Sequence, residues 1–229
     1  MKSSTTLPTG EIALRYLLAA FAMLGCLLAL YQFWYDKSLW MDEAWLASNI
    51  VSRGFAGLLQ PLDSIQIAPA GFLMVEKLNT LLLGDTDRAL SLFPLLGYLA
   101  GVWLFYRFAK KVTHEQTFAL FATAIYALTF QLVDFSSAVK QYSTDTAIAL
   151  VILYTAASLQ IARQRSLLVW GITGVAAVWF SNVAVILLFA TGTFWLYKGL
   201  RQKDWQYIRL LPVIVAWLVS FAVYYLIFL

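Results

Sequence analysis

The sequence predicts an all-α, polytopic membrane protein with about seven transmembrane helices. Apolar residues make up 62% of the 229 residues and charged residues only 12%, against about 45–50% and about 25% in soluble domains. Several apolar runs approach the roughly 20 residues that cross the hydrocarbon core of a bilayer. The composition therefore excludes a soluble globular enzyme, and residues 1–229 are expected to form a single transmembrane domain.

Seven apolar runs account for the expected spans. The first run is too long for a signal-peptide core and lacks a small-residue cleavage site after it, which indicates a retained anchor. The short fifth run joins the sixth through Ser181-Asn182, a connection typical of a tight helical hairpin. The predicted spans cover residues 14–35, 90–108, 116–133, 145–162, 167–180, 183–199 and 209–228.

Residues 36–88 differ from the rest because charged residues, Pro and Gly interrupt short apolar clusters. Apolar residues at helical spacing over 43–60 predict a helix on the membrane surface. The run 67–83 is ambiguous, since its length could just cross a bilayer. Its polar residues Glu76, Asn79 and Thr80 face away from a leucine-rich side, a pattern typical of an amphipathic surface helix.

The distribution of Lys and Arg predicts the orientation. With 67–83 on the surface, eleven of the sixteen cations lie on the side of the N-terminus and five on the other side. If 67–83 spanned instead, the excess would move outside, against the positive-inside rule. The sequence therefore predicts a cytoplasmic N-terminus. The same bias explains the net charge of +4 without a nucleic-acid partner.

Acidic residues follow the opposite distribution. Nine of the twelve are expected at the outer side or its boundary, namely Asp36, Asp42, Glu43, Asp63, Glu76, Asp85, Asp87, Asp134 and Asp145. Acids contribute little to orientation, whereas an outward-facing polar site would explain them. The stretch Trp40-Met41-Asp42-Glu43-Ala44-Trp45 is the first such feature after the first span.

Each of these residues, considered separately, also fits a purely structural role. Asp42 could be the N-cap of a short helix with Glu43 in its first turn. Ser143 could cap the helix that contains Asp145. Lys140 and Arg88 could extend to the lipid headgroups. Together, however, acids and cations on one membrane face suit a chemistry in which a carboxylate accepts a hydroxyl proton and a cation stabilises a phosphate leaving group.

Other chemistries have little support in the sequence. The only histidine, His114, is expected on the cytoplasmic side, which argues against a Ser-His-Asp hydrolase or a histidine zinc site at the acids. The single Cys26 offers neither a disulfide nor a cysteine metal site. A transporter would more often place ionisable groups near mid-membrane.

Four elements occur in the order seen in one enzyme superfamily. They are Asp42-Glu43 after the first span, the stretch Ala68-Pro69-Ala70-Gly71-Phe72-Leu73, then Arg88-Ala89-Leu90, and finally Lys140-Gln141-Tyr142-Ser143-Thr144-Asp145. Over about residues 10–200 this order resembles the GT-C membrane glycosyltransferases, in particular the family-39-like protein mannosyltransferases, aminoarabinose transferases and lipopolysaccharide galacturonosyltransferase-like enzymes.

The resemblance implies an enzyme of the bacterial inner (plasma) membrane that moves a sugar from a polyprenyl-phosphate donor. The acceptor would be a lipid, glycan or protein on the periplasmic face. It implies catalytic roles for Asp42, Glu43 and Asp145. Contacts with the donor phosphate would come from Lys140, Arg88, Tyr142 and Lys77. A divalent cation, Mg²⁺ or Mn²⁺, would be held by Asp42 and Glu43 if one is used.

The sequence departs from the GT-C pattern at two points that affect the expected activity. Ala68 stands where some relatives carry a basic residue before the first proline of the second segment. Family members usually continue with further spans, so the C-terminal region of the family is expected to be absent here, and the chain could then be inactive alone. The alternative functions are a non-catalytic membrane module that binds glycolipid or scaffolds a partner and, less favoured, a transporter.

Overall fold

The computed structural model describes residues 9–35 and 37–228, so the predicted outer acid Asp36 lies outside the described residues. All regular structure in the described part is helical. Ten α-helices follow one another: α1 Thr9–Tyr35, α2 Met41–Ser52, α3 Ala70–Leu83, α4 Asp87–Thr113, α5 Gln116–Leu128, α6 Phe130–Phe135, α7 Tyr142–Ala157, α8 Gln164–Phe180, α9 Ala184–Gln202 and α10 Leu210–Phe228. Short 3-10 turns lie at Gly57–Leu59, Asp63–Ile65 and Trp205–Arg209.

Three helices of the described chain are long and apolar enough to cross a membrane. They are Thr9–Tyr35, Asp87–Thr113 and Trp205–Phe228. An all-helical membrane protein is therefore supported by length and composition, whereas the expected number of seven spans is not confirmed on these grounds. The helix α3, with 14 residues, reaches about 21 Å and is too short to span.

The long helices alternate in direction between two ends of the bundle. At the first end, α1 finishes and α4 and α7 begin, and we call it the acidic end. Ser91 near the start of α4 donates a hydrogen bond to the Ser137 carbonyl just before α7, at 2.9 Å. The Tyr224 hydroxyl near the end of α10 donates to the Asn182 side chain in the α8–α9 turn, at 2.9 Å. The predicted outer segments thus share one end.

The opposite end, which we call the basic end, holds the starts of α1, α5, α8 and α10 and the ends of α4, α7 and α9. Arg15 of α1 donates to the Thr117 hydroxyl of α5 at 3.0 Å. Arg107 near the end of α4 donates to the Tyr154 hydroxyl of α7 at 3.0 Å. The cations that determine the predicted orientation therefore lie together at one end of the fold.

Two predicted elements differ in their bounds. The surface helix expected over 43–60 begins earlier and ends at Ser52, because Arg53 and Gly54 leave the helical path before the 3-10 turn Gly57–Leu59. The run 116–133 is divided at Thr129, whose extended backbone separates α5 from α6. The other runs form single helices close to their predicted positions.

The helix α3 has the predicted two-sided pattern, and its polar side is buried in the protein. Glu76, Lys77 and Thr80 are buried, whereas Leu81 and Leu82 are 61% and 71% exposed. A surface of this kind suits a lipid environment, which solvates leucine side chains and leaves polar groups to find partners inside the protein. The polar side of α3 thus faces the protein interior near the acidic end.

Small residues let the long helices approach closely. A Cβ atom on Gly25 of α1 would overlap the backbone carbonyl of Ala127 on α5, and a Cβ on Gly174 of α8 would overlap the Trp217 ring of α10. Close backbone approach through small residues is a main source of helix association in membranes. The packing of α1 on α5 therefore depends on the absence of a side chain at Gly25.

We expect Gly25→Ala to lower the thermal unfolding midpoint of the detergent-solubilised protein. The added methyl group must displace the α5 backbone, at a cost of about 1–3 kcal/mol. Gly10→Ala is the matched control in the same helix, because a Cβ there meets nothing within 4 Å. Equal midpoints for the two variants would contradict the close α1–α5 contact.

Candidate functional site at the acidic end

The loop after α2 is folded back on that helix by two side chains. The Asn49 side-chain carbonyl accepts a hydrogen bond from the Asp63 backbone N–H at 2.9 Å, and Arg53 forms an ion pair with Asp63 at 2.7 Å. Arg53 also donates to the Pro61 carbonyl at 2.9 Å. These contacts hold the 3-10 turn Asp63–Ile65 against α2.

The turn brings Gln66 to the site through an unusual backbone. Ser64 and Ile65 have φ angles of 59° and 56°, a left-handed conformation that a β-branched residue such as Ile rarely adopts. Such strained residues persist where the surrounding structure holds them and cluster at functional sites. Directly after them, the Gln66 side-chain carbonyl accepts a hydrogen bond from the Lys140 ammonium at 2.7 Å.

The first turn of α2 holds both acids of the Asp42-Glu43 pair, in different roles. The helix begins at Met41 with Trp40 as N-cap residue, so Asp42 is not the cap. Instead, the Glu43 carboxylate accepts a hydrogen bond from the Trp40 backbone N–H at 2.9 Å, the reciprocal half of a capping box. Glu43 is 6% exposed and its capping bond holds the turn that presents Asp42.

Asp42 forms an ion pair with Lys140, whose ammonium lies 2.9 Å from the Asp42 carboxylate. The Lys140 side chain is 10% exposed and that of Asp42 is 52% exposed. The pair joins the first outer loop to the segment that opens α7. The ammonium therefore has two anchors, Asp42 and Gln66, and the carboxylate keeps an open side.

Tyr142 lies within the same group of charges. It is the first residue of α7, two positions after Lys140. Its ring packs against Phe135 with centroids 4.6 Å apart. Tyr142 thus lies at the same end of the fold as the three predicted catalytic acids.

Asp145 lies in the first turn of α7 and reaches the end of α8. Its carboxyl contacts Ser181, the residue that follows α8. Its Oδ1 atom is buried and has no hydrogen-bond partner among the described residues. A buried carboxylate oxygen without a partner is costly unless it has a further role, so Asp145 is available to a bound polar group.

Two of the predicted phosphate ligands contact other residues than Asp42. Lys77 donates to the Val51 carbonyl at 3.0 Å near the C-terminal end of α2, about 14 Å along the helix axis from Asp42. The Arg88 guanidinium lies over the Trp34 ring, 5.4 Å from its centroid, and donates to the Trp34 carbonyl at 3.2 Å. Lys140 and Tyr142 are thus the predicted phosphate ligands that the structure brings beside Asp42.

Sequence reasoning did not assign roles to Gln66 and Ser181. Gln66 opens the second outer segment, Gln66-Ile67-Ala68-Pro69, and Ser181 occupies the turn of the predicted hairpin, so both belong to recognised features. A further ion pair at this end joins Lys37 to Asp134 at 2.6 Å. Neither Gln66 nor Ser181 carries a charge or motif that predicts a contact with a residue many positions away.

The expected divalent cation has no matching ligand cluster in the described part of the chain. No three His, Cys, Asp or Glu side chains group there as a metal site. Glu43 is used by the α2 cap, and the Lys140 ammonium already neutralises Asp42. In this arrangement Asp42 pairs with the Lys140 ammonium and Glu43 accepts from the Trp40 backbone N–H.

No protein-family model matches this chain. Comparison with curated proteins and with solved structures likewise finds no match. The likeness to the GT-C glycosyltransferases therefore rests on the order of the four sequence elements alone.

Glu76 is a second acid of interest near this end, on the buried side of α3. It is 0% exposed, and its Oε1 atom has no hydrogen-bond partner among the described residues. Its other oxygen is 3.5 Å from the Asn79 amide. Burial raises the pKa of Glu76 well above 4.5, so the folded protein favours its neutral form.

We expect the stability of the wild type relative to Glu76→Gln to fall as the pH rises. An acid whose pKa is raised by folding contributes fully below its unfolded value of 4.5. That contribution is lost as the pH rises through the folded value. The measurement is the thermal unfolding midpoint of the two proteins at a series of pH values from below 4.5 upward. A difference in midpoint that does not change with pH would refute the buried neutral carboxyl of Glu76.

Glu115→Gln is the control of opposite sign. Hydrogen bonds from the backbone N–H groups of Phe118 and Thr117 lower the pKa of the exposed Glu115. Its contribution is present above the unfolded pKa of 4.5 and is lost as the pH falls. The wild type should therefore gain stability over Glu115→Gln as the pH rises.

Proposed function

We propose that the protein is a membrane glycosyltransferase that moves a sugar from a polyprenyl-phosphate donor to an acceptor hydroxyl at the acidic end. The observation that carries the proposal is the 2.9 Å ion pair between Asp42 and Lys140. It places a half-exposed carboxylate beside a nearly buried ammonium, and these are the two groups that such a transfer needs.

Lys140 serves as the ligand of the donor phosphate. A phosphate oxygen that reaches the ammonium competes with Asp42 for its protons, because charge-assisted hydrogen bonds to phosphate are strong. The carboxylate released from the pair is then a better proton acceptor. Gln66 keeps the ammonium in place during this exchange through its 2.7 Å hydrogen bond.

Asp42 serves as the general base in a single displacement. The acceptor oxygen forms a bond to the anomeric carbon while the bond from that carbon to the phosphate oxygen breaks. The hydroxyl proton passes to Asp42, and the electron pair of the broken bond leaves with polyprenyl phosphate, whose charge Lys140 stabilises. A displacement of this kind inverts the anomeric centre.

The remaining residues have supporting roles. Glu43 positions Asp42 through the cap of α2, and Asp145 orients the acceptor with its unpartnered carboxyl oxygen. Tyr142, two residues after Lys140, donates its phenolic proton to the phosphate in a hydrogen bond. Lys77 and Arg88 hold α2 and the end of α1 in place, so their effect on the donor is indirect.

A lipid donor is supported by an apolar groove of about 600 Å³ between α4, α7 and α8. Its lining is apolar apart from Thr144 and Thr173. Thr144 directly precedes Asp145, so the groove starts beside the polar centre and runs along the helices. A polyprenyl chain would occupy such a groove with its phosphate at Lys140. A soluble nucleotide sugar would have no use for it.

The proposal includes seven spans, namely α1, α4, α5 with α6, α7, α8, α9 and α10. Alternation of these helices between the two ends supports this count, and the excess of cations at the basic end supports a cytoplasmic basic end. The acidic end then faces the periplasm of a bacterial inner membrane. A periplasmic site has no access to cytosolic nucleotide sugars, which agrees with a lipid-linked donor.

Cysteine labelling in intact cells tests this topology. In a Cys26→Ser background, Ser64→Cys and Val183→Cys should react with a membrane-impermeant maleimide added outside. His114→Cys should react only after the membrane is opened. Labelling of Val183→Cys from the cytoplasmic side would contradict the seven-span arrangement.

Asp42→Asn should lower sugar transfer by at least about 100-fold, since it removes the general base. The assay adds the purified protein to host membranes, which supply the acceptor, together with one of a panel of radiolabelled polyprenyl-phosphate sugars. The measured quantity is the polyprenyl phosphate released. Asp134→Asn is the matched control, because Asp134 is an acid of the same end that also pairs with a cation, Lys37, at 2.6 Å. Full activity of Asp42→Asn would falsify the assignment.

Donor binding without turnover by the wild type would instead indicate a glycolipid-binding module. In that case the same lipid should bind wild type and Asp42→Asn with similar affinity. Lys140→Met should bind it more weakly, because it lacks the phosphate ligand but keeps much of the side-chain volume.

A further inference from the structure

A second polar cavity lies at the basic end, away from the proposed active site. It has a volume of about 450 Å³ between the end of α4 and α7, and its lining consists of Tyr106, Arg107, Lys110, Lys111, His114 and Tyr154. Within residues 9–35 and 37–228, no acidic residue lines it. Two aromatic walls and three permanent cations facing one space are the composition of an anion-binding site.

Aromatic contacts hold the cations in place. The Arg107 guanidinium lies between two rings, 5.4 Å from the Trp103 centroid and 5.6 Å from that of Tyr154, and donates to the Tyr154 hydroxyl. The Lys110 ammonium lies 5.8 Å from the Tyr106 centroid. Cation–π contacts of this kind fix the position of a cation and leave its charge unneutralised.

Neighbouring negative charge does not cancel the three cations. The C-terminal carbonyls of α4 contribute about half a negative charge. Glu115 follows His114 in sequence, but its carboxylate accepts hydrogen bonds from the Thr117 and Phe118 backbone N–H groups at the start of α5. A positive excess therefore remains in the cavity.

The depth of the cavity matches a lipid headgroup. The helix α4 has 27 residues and is thus about 40 Å long, enough to cross the hydrocarbon core of about 30 Å and reach the headgroups on both sides. The cations lie in its last two turns. Trp103, one turn further into the helix, is 58% exposed, as expected for an aromatic residue at the boundary between headgroups and chains.

We propose that this cavity binds the phosphate headgroup of an anionic phospholipid. Arg107 and Lys110 contact the phosphate, and Lys111 lies on the side of the cavity that faces solvent. Tyr106 and Tyr154 flank the glycerol. The acyl chains lie along the exposed side of α4 past Trp103. Basic pockets between spanning helices are known to take lipid headgroups, and the site is separate from the centre at Asp42 by the length of α4.

The test compares lipid retention by the full chain and two double variants. Each protein is purified from mixed micelles of phosphatidylglycerol and phosphatidylcholine, and bound lipid is counted by native mass spectrometry. The site variant is Arg107→Gln with Lys110→Gln. The control is Lys198→Gln with Arg201→Gln, which removes the same charge from the same end and also removes one cation over a ring, Lys198 over Trp195 at 4.5 Å.

The wild type and the control should retain phosphatidylglycerol in preference to phosphatidylcholine. The site variant should bind phosphatidylglycerol about 30-fold more weakly, the factor expected for two cations at a lipid surface. Equal retention of the two lipids by the wild type, or equal losses in the two variants, would overturn the site. Displacement of the lipid by millimolar inorganic phosphate would overturn the assignment to a lipid, whereas unchanged retention supports it.

Discussion

The ammonium of Lys140 lies in a position where solvent contributes little, with a side chain only 10% exposed. A charge held there is stable only if nearby groups replace its hydration, and breaking one partner of such a pair leaves an uncompensated charge. The partners are Asp42 and Gln66, which come from the first loop and are 98 and 74 positions away in sequence. The arrangement of that loop over α7 therefore depends on this one group.

Several features of the loop follow from the need to bring both partners to Lys140. The Glu43 cap holds the first turn of α2 so that Asp42 faces the ammonium. The contacts of Asn49 and Arg53 draw the chain back over α2, and the left-handed backbone at Ser64 and Ile65 directs Gln66 to the same place. Strain in an exposed turn is thus coupled to the position of a buried cation, which is the kind of pre-organisation that a phosphate site requires.

The lipid environment explains the arrangement of polar groups elsewhere in the fold. Leu81 and Leu82 of α3 face outward, while Glu76, Lys77 and Thr80 face the protein, because hydrocarbon solvates leucine and not a carboxyl group. The two ends of the bundle contact water and headgroups, and most charged residues lie there. Acids predominate at the acidic end and cations at the basic end. Asp42, Glu43 and Asp145 lie at one end, whereas cations surround a cavity beside Tyr154 at the other. The two ligands that we propose, a lipid-linked sugar at one end and a lipid headgroup at the other, follow this difference in charge.

The sequence by itself determined the helical class, the positions of most helices and the common end of the polar segments, because helical periodicity and the distribution of Lys and Arg are local or additive properties. It also pointed to Asp42, Lys140, Tyr142 and Asp145. Only the tertiary structure decided which charges meet. In the structure Glu43 caps α2, and Lys77 donates a hydrogen bond to the Val51 carbonyl. The structure also shows that Gln66 accepts a hydrogen bond from the Lys140 ammonium. Partners of this kind depend on how a strained loop packs against a distant helix, and no periodicity or spacing in the chain records that packing.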